Sequence, residues 1–204
     1  ESAIDILNIL GETIHPGESK EVNFDVANLH TSTPVNVPLI IERSKKPGPI
    51  VLFTAGIHGD EVNGVEIVRQ LISKGINQPK IGTIICMPVI NVFGFINLKR
   101  EFPDGRDLNR VFPGSPHGSL AGRVAHKLIG EVIPHVDLII DFHTGGSGRF
   151  NAPQLRYEKN NKKLEELAKA FAPPFVLYSK NLSKSFRATC NKLEKPLLLF
   201  EGGK

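Results

Sequence analysis

The chain predicts an α/β fold, a mixed and mostly parallel central sheet with helices on both faces. Three observations point there. Four short apolar runs, at residues 50–56, 83–87, 137–141 and 196–200, have the length and residue types of buried strands. Segments with apolar residues at helical spacing separate several of them. Strands that alternate with helices mark a sheet covered on both faces. At 204 residues the chain is long enough for one sizeable core of this kind, so a single domain over residues 1–204 is expected.

Val22, Phe24 and Val26 alternate with polar residues, and Val35, Val37, Leu39 and Ile41 repeat the period of two. Two antiparallel strands within about residues 20–42 are therefore expected to start the sheet. Lys45-Lys46-Pro47-Gly48-Pro49 turns the chain into the central strand at 50–56. From Glu61 to Ser73, Val62, Val65, Val68, Leu71 and Ile72 recur at helical spacing, a stripe that reads as core packing, and Gly75 stops that helix. The strand at 83–87 then runs into Pro88 and Asn91. Residues 92–119, rich in Gly, Pro and charge, are expected to be irregular. So long a loop inside one domain is usually functional. Ser119 is placed to cap a helix reaching about Ile133, with His126 inside it as a structural or exposed residue. The strand at 137–141 leads to His143 and the glycine-rich loop Thr144-Gly145-Gly146-Ser147-Gly148-Arg149. Residues 161–171 read as a helix with Leu164, Leu167, Ala168 and Phe171 on one face. Phe175–Tyr178 and 196–200 supply the last strands.

Composition narrows the function classes. Hydrophobic residues make up 40% and charged residues 23%, as in ordinary globular proteins. No run is long enough to cross a bilayer, and Glu1-Ser2 opens no signal peptide, so no membrane partner is expected. The net charge of +4 favours anionic substrates but is a poor argument for nucleic acid, and no basic run is interleaved with aromatics despite a pI of 9.1. With only Cys86 and Cys190, a reduced, cytoplasmic protein is the expectation. A homo-oligomer stays open.

The chemistry sits where the apolar runs end. The run at 50–56 delivers His58 and, three residues later, Glu61; the run at 137–141 delivers His143; the last run ends in Glu201. Open α/β sheets bind ligands at the carboxyl ends of their strands. Two imidazoles and one carboxylate form a catalytic zinc set that leaves a fourth position for water. A structural zinc site fits less well, because such sites use four ligands rich in Cys. Glu201 is the carboxylate placed to act as the base. In the long loop, Asn109 and Arg110 pair an amide with a guanidinium fork suited to a substrate carboxylate. Asp107 reads as a loop residue bonded to nearby backbone N–H groups.

Gly56-Ile57-His58-Gly59-Asp60-Glu61, Asp107-Leu108-Asn109-Arg110-Val111-Phe112-Pro113-Gly114, Asp141-Phe142-His143-Thr144 and Phe200-Glu201-Gly202-Gly203 occur in that order. Together they resemble the succinylglutamate desuccinylase/aspartoacylase family, a branch of the zinc carboxypeptidase-like hydrolases, from about residue 35 onward. The resemblance implies a carboxypeptidase-like fold and zinc-dependent removal of an acyl group from a small N-acyl amino acid. It implies one Zn2+ per chain on His58, Glu61 and His143, with Glu201 as general base and Asn109 and Arg110 on the substrate carboxylate. It also implies an Arg ahead of the Asp107–Arg110 motif that polarises the scissile carbonyl. Arg100 and Arg106 compete for that role, and the distance of Arg100 from Arg110 fits better. Arg149 and Arg156 either contact the acyl side or are ordinary surface residues. The family carries a further β-rich segment after the Glu-Gly motif, which these 204 residues do not include. Two rival readings use the same residues: a metallocarboxypeptidase acting on peptides, and a non-catalytic metal-binding module.

Overall fold

Alternation of apolar side chains along the strands builds two cores, one on each face of a single sheet. The computed structural model describes residues 6–159 and 161–204. An opening hairpin of β1 (Leu7–Ile9) and β2 (Glu12–Ile14) packs against the main sheet. The main sheet comprises β3 (Ser19–Asn28), β4 (Pro34–Arg43), β5 (Ile50–Ala55), β6 (Thr83–Met87), β7 (Leu138–His143), β8 (Asn151–Tyr157), β9 (Phe175–Tyr178) and β10 (Leu197–Gly203). Their spatial order is β3-β4-β6-β5-β7-β10-β8-β9. The four inner strands β6, β5, β7 and β10 run parallel. β3 and β4 join antiparallel on one side; β8 pairs antiparallel with β10 on the other, and β9 runs parallel to β8. The architecture is therefore mixed α/β with a mostly parallel sheet, and the carboxyl ends of β5, β7 and β10 lie side by side.

Leu52, Ile85, Ile139 and Leu197 occupy equivalent positions on the inner strands and join one core, with Ala121, Val124, Ala125 and Leu128 of helix α3 (Leu120–Glu131). Helix α5 (Phe186–Lys192) adds Phe186 and Cys190 to the same side. The neighbouring residues Cys86 and Ile140 face the other way, onto Val65 and Val68 of helix α1 (Val62–Ser73). Helix α4 (Lys162–Phe171) covers that second face farther along, with Leu164 and Ala168 against Leu155 and Leu198. A period of two on the strands thus places helices on both faces.

Helix α1 ends as expected at Gly75, whose φ of +66° only glycine adopts without strain. Ser119 caps α3 by accepting from Gly122 N at 3.2 Å. Residues 92–119 are less irregular than expected. They begin with a six-residue helix α2 (Val92–Asn97), capped by Asn91 Oδ1 accepting from Gly94 N at 2.8 Å. The opening hairpin, β8 and α5 also lie outside the sequence expectations, and Glu201 lies within β10 rather than beyond it. Both cysteines are free and buried. Among the described residues no helix is long and apolar enough to cross a membrane.

Candidate active site

β5 and β7 are hydrogen-bonded neighbours, with Thr54 opposite Asp141 and Ala55 opposite Phe142. The loop leaving β5 carries His58, and Glu61 stands at the N-terminus of α1. Gly59 between them is held by close approach: a Cβ there would overlap the backbone of Gly94 and Phe95 in α2. His143 is the last residue of β7, and Glu201 is its register partner on β10. Paired residues of a parallel ladder point to one face, so His143 and Glu201 share a face, and the segment after β5 brings His58 and Glu61 to the same cleft.

Glu61 bridges the two imidazoles. Its Oε1 lies 2.6 Å from His58 Nδ1 and its Oε2 lies 2.8 Å from His143 Nδ1. His58, Glu61 and His143 are all buried, at 3%, 4% and 3% exposure. Each ring is held from behind by a second carboxylate: His58 Nε2 is 3.2 Å from Asp107 Oδ1, and His143 Nε2 is 2.8 Å from Asp141 Oδ2. Each ring is thus held between two carboxylates, with Nε2 turned to Asp107 or Asp141 and Nδ1 turned to Glu61. Thr54 Oγ1 donates to Asp141 Oδ1 at 2.8 Å and fixes that carboxylate in turn.

Burial alone would raise the Glu61 carboxyl, but hydrogen bonds from His143 and His58 outweigh it and hold it well below the usual carboxylate range. Asp107 behaves alike, its burial opposed by His58, Arg100 and the Asn109 N–H. Burial pushes the His143 imidazole down, while Asp141 and Glu61 carry it well above its ordinary value.

The donor set suits a divalent cation. One ligand atom from each of His58, Glu61 and His143 can be chosen so that all lie within 4.8 Å of one another. Three carboxylates (Glu61, Asp107 and Asp141) surround this point against one guanidinium, Arg100. Carboxylates behind metal-ligating histidines are the usual supporting arrangement, and imidazole with carboxylate suits zinc.

Arg100 reaches this centre and Arg106 does not. Arg100 Nε and Nη2 both lie 3.0 Å from Asp107 Oδ2, and Nη1 lies 3.4 Å from Glu61 Oε1. Arg106 is exposed and outside the cleft. Asp107 bonds to backbone as expected, accepting from Asn109 N at 2.8 Å, and it also orients His58 and Arg100. Asn109 is buried, with Oδ1 accepting from Phe186 N at 2.8 Å, so its amide NH2 is the end left for the cleft. Arg110 is exposed on the cleft wall, with Nη1 donating to Asn109 O at 2.7 Å. Glu201 is steered by Asn151 Nδ2 at 2.6 Å and Arg156 Nη1 at 3.4 Å.

His58, Glu61, His143, Arg100, Asn109, Arg110 and Glu201 line one cleft of about 620 Å³. Its walls bear Arg100, Arg110, Arg149, Arg156, Lys180 and Arg187 against the carboxylates Glu61 and Glu201. Arg187 is buried, donating to Ser179 Oγ at 3.0 Å and Lys180 O at 2.9 Å. Burial and the neighbouring Arg156 both lower its pKa. Such a cleft favours an anionic ligand.

Sequence reasoning did not single out Asp141, Asn151 or Arg187. Asp141 had a visible signal, since residues two apart on a strand share a face, so an Asp two before a ligating His is placed to hold it. Asn151 and Arg187 had none, because their elements were not expected.

Residues 47–204 match the model of the succinylglutamate desuccinylase/aspartoacylase catalytic domain. Over 149 residues the chain is 31% identical to N-alpha-acetyl-L-2,4-diaminobutyric acid deacetylase of Halomonas elongata, covering 70% of this chain and 43% of that protein. A crystal structure of an aspartoacylase family protein from Mesorhizobium loti superposes with a TM-score of 0.81 at 28% identity, covering 92% of this chain and 62% of the other. A product-bound ectoine utilization protein from Ruegeria pomeroyi superposes with a TM-score of 0.77 at 25% identity, covering 91% and 59%. The chain thus spans less than two thirds of each of these relatives.

Proposed function

From the premise that the chain belongs to the succinylglutamate desuccinylase/aspartoacylase family, we propose that it is the catalytic part of a zinc-dependent deacylase. The substrate is a small N-acyl amino acid, whose amide bond is hydrolysed. The observation that carries this reading is the meeting of His58, Glu61 and His143 in the same cleft as Glu201, Arg100, Asn109 and Arg110.

His58, Glu61 and His143 hold one zinc ion per chain. When bound, that ion supplies acidified water at neutral pH and polarises the amide carbonyl. Asp107 and Asp141 keep both Nδ1 atoms turned to the ligand point. Glu201 takes the proton from the attacking water and returns it to the leaving amine nitrogen. Asn151 and Arg156 keep its carboxylate oriented for both transfers. Arg100 donates to the carbonyl oxygen as negative charge develops there, where losing one such donor typically costs about 3–4 kcal/mol. The Asn109 amide and the Arg110 fork hold the substrate α-carboxylate. Arg149 and Arg156 also line the cleft and are the candidates for contact with the acyl group.

The test is a screen of N-acetyl, N-succinyl and related N-acyl amino acids with zinc-loaded, full-length protein, beside blocked dipeptides. Release of free amino acid from at least one N-acyl amino acid, with slower cleavage of the dipeptides, is the expected result. Preferential cleavage of the dipeptides would favour the carboxypeptidase reading, and no turnover of either would favour the non-catalytic one.

A further inference from the structure

The glycine-rich loop after β7 is stapled to the first motif at two points. Thr144 N donates to Glu61 Oε2 at 3.1 Å, and Ser147 N donates to Asp60 Oδ2 at 3.3 Å. Ser147 takes a left-handed backbone to do so, with φ of 58° and ψ of 36°. Between these anchors the Cα of Gly146 faces the centre. A Cβ built there would stand 3.4 Å from Arg100 Nη1 and 3.6 Å from Glu61 Oε1. Asp107 ties down the Nε and Nη2 atoms of Arg100, so Nη1 is the end of the fork not held by that carboxylate. Gly146 lies against that end.

A carbonyl oxygen must come within about 2.7–3.1 Å of a donor to be stabilised by it. A methyl group in van der Waals contact with the same nitrogen occupies the space through which that oxygen arrives. From this we infer that Gly146 is a positioning residue whose missing side chain leaves Arg100 accessible to the substrate. Its bare Cα keeps a gap open beside Arg100 Nη1, on the loop side of its contact with Glu61, through which the scissile carbonyl reaches the guanidinium. Asp60 is a positioning residue, holding the loop that presents Gly146. The inference rests on the deacylase reading for what enters the gap, and not for the gap itself.

Two measurements on zinc-loaded, full-length protein test it. The first is a double-mutant cycle. Gly146→Ala should retain the wild-type zinc content and KM while kcat falls by about 10-fold or more, approaching the loss of an oxyanion donor. Gly146→Val should fall further. In an Arg100→Ala background, Gly146→Ala should change kcat by less than about 2-fold, because the donor it obstructs is gone. Arg100→Met, which keeps most of the side-chain bulk and has no N–H donor, serves if Arg100→Ala does not fold. Independent, multiplicative losses would overturn the inference. The second needs no turnover: phenylglyoxal labelling of Arg100, followed by peptide mass spectrometry with exposed Arg123 as internal standard. Labelling of Arg100 should slow several-fold in Gly146→Val and stay unchanged at Arg123. Equal rates in wild type and variant would overturn the inference. Slower labelling in a protein that hydrolyses no N-acyl amino acid would instead sink the deacylase reading and leave the gap standing.

Discussion

Glu61 and Glu201 carry the same carboxylate into one cleft, but their neighbours differ. Glu61 is buried between two imidazole Nδ1 atoms, three residues from His58, on the loop and helix start that aim both at one point. Glu201 comes from a different strand, and its partners are an amide and a guanidinium with no imidazole among them. Under the proposed function, these surroundings suit Glu61 to the metal and Glu201 to the proton. Glu201→Gln keeps the shape and removes the basic oxygen, so it should hold zinc while kcat drops by on the order of 10²–10⁴-fold. Glu61→Gln should instead weaken zinc binding. Zinc content and turnover measured on both variants check the assignment, and near-normal turnover in zinc-loaded Glu201→Gln protein would leave the proposal without its base.

Elements position these residues through backbone contacts that a side-chain list does not reveal. Asp104 lies in the long segment between α2 and α3 and ties it down at two points: Oδ2 accepts from Ala121 N at 2.9 Å and Oδ1 from Arg106 N at 3.1 Å. Ser119 accepts from the next amide, Gly122 N, and touches only the helix. Removing either acceptor leaves one α3 amide without its cap, worth about 1 kcal/mol. In a domain of this size that lowers Tm by roughly 2–4 °C. Only Asp104→Ala should also loosen the turn that carries Asp107, Asn109 and Arg110. It should therefore raise KM several-fold while Ser119→Ala leaves KM alone, as steady-state kinetics beside thermal melts would show. The inner strands were legible because strands buried on both faces read as unbroken apolar runs, and the ligand residues follow them at once. β8 was not, because Asn151-Ala152-Pro153-Gln154 has neither an apolar run nor a free choice of donors. It pairs with β10 on one side and β9 on the other, and Pro153 lies where the β10 register shifts between Glu201 and Gly203. α5 hid for the opposite reason: five of its seven residues are buried, so no polar face marks it as amphipathic. Each of these two elements brings a residue to the cleft, Asn151 and Arg187, and so each took part of the site out of reach of the sequence.

For the whole molecule, the ligand point is a junction. His58 and Glu61 follow β5, and His143 ends β7; the supporting carboxylates come from the long loop (Asp107) and from β7 itself (Asp141). These segments are far apart in sequence and meet only in the folded chain, so an ion held by all of them binds the native state and has no comparable site on the unfolded one. Linkage then requires zinc to stabilise the fold, by about 2.7 kcal/mol at a free concentration 100 times Kd. At roughly 2–4 °C per kcal/mol this predicts a rise in Tm of about 5–10 °C. His58→Ala and His143→Ala should each lose most of that rise, since two remaining ligands hold the ion poorly. Glu201→Gln should keep it, because that residue acts on water rather than on the metal. Thermal melts across a zinc titration, with a chelator-treated sample as baseline, distinguish these cases without any substrate. An undiminished rise in both histidine variants would place the ion elsewhere on the protein. The convergence of His58, Glu61 and His143 would then be a hydrogen-bonded cluster that holds β5 to β7 by its own contacts.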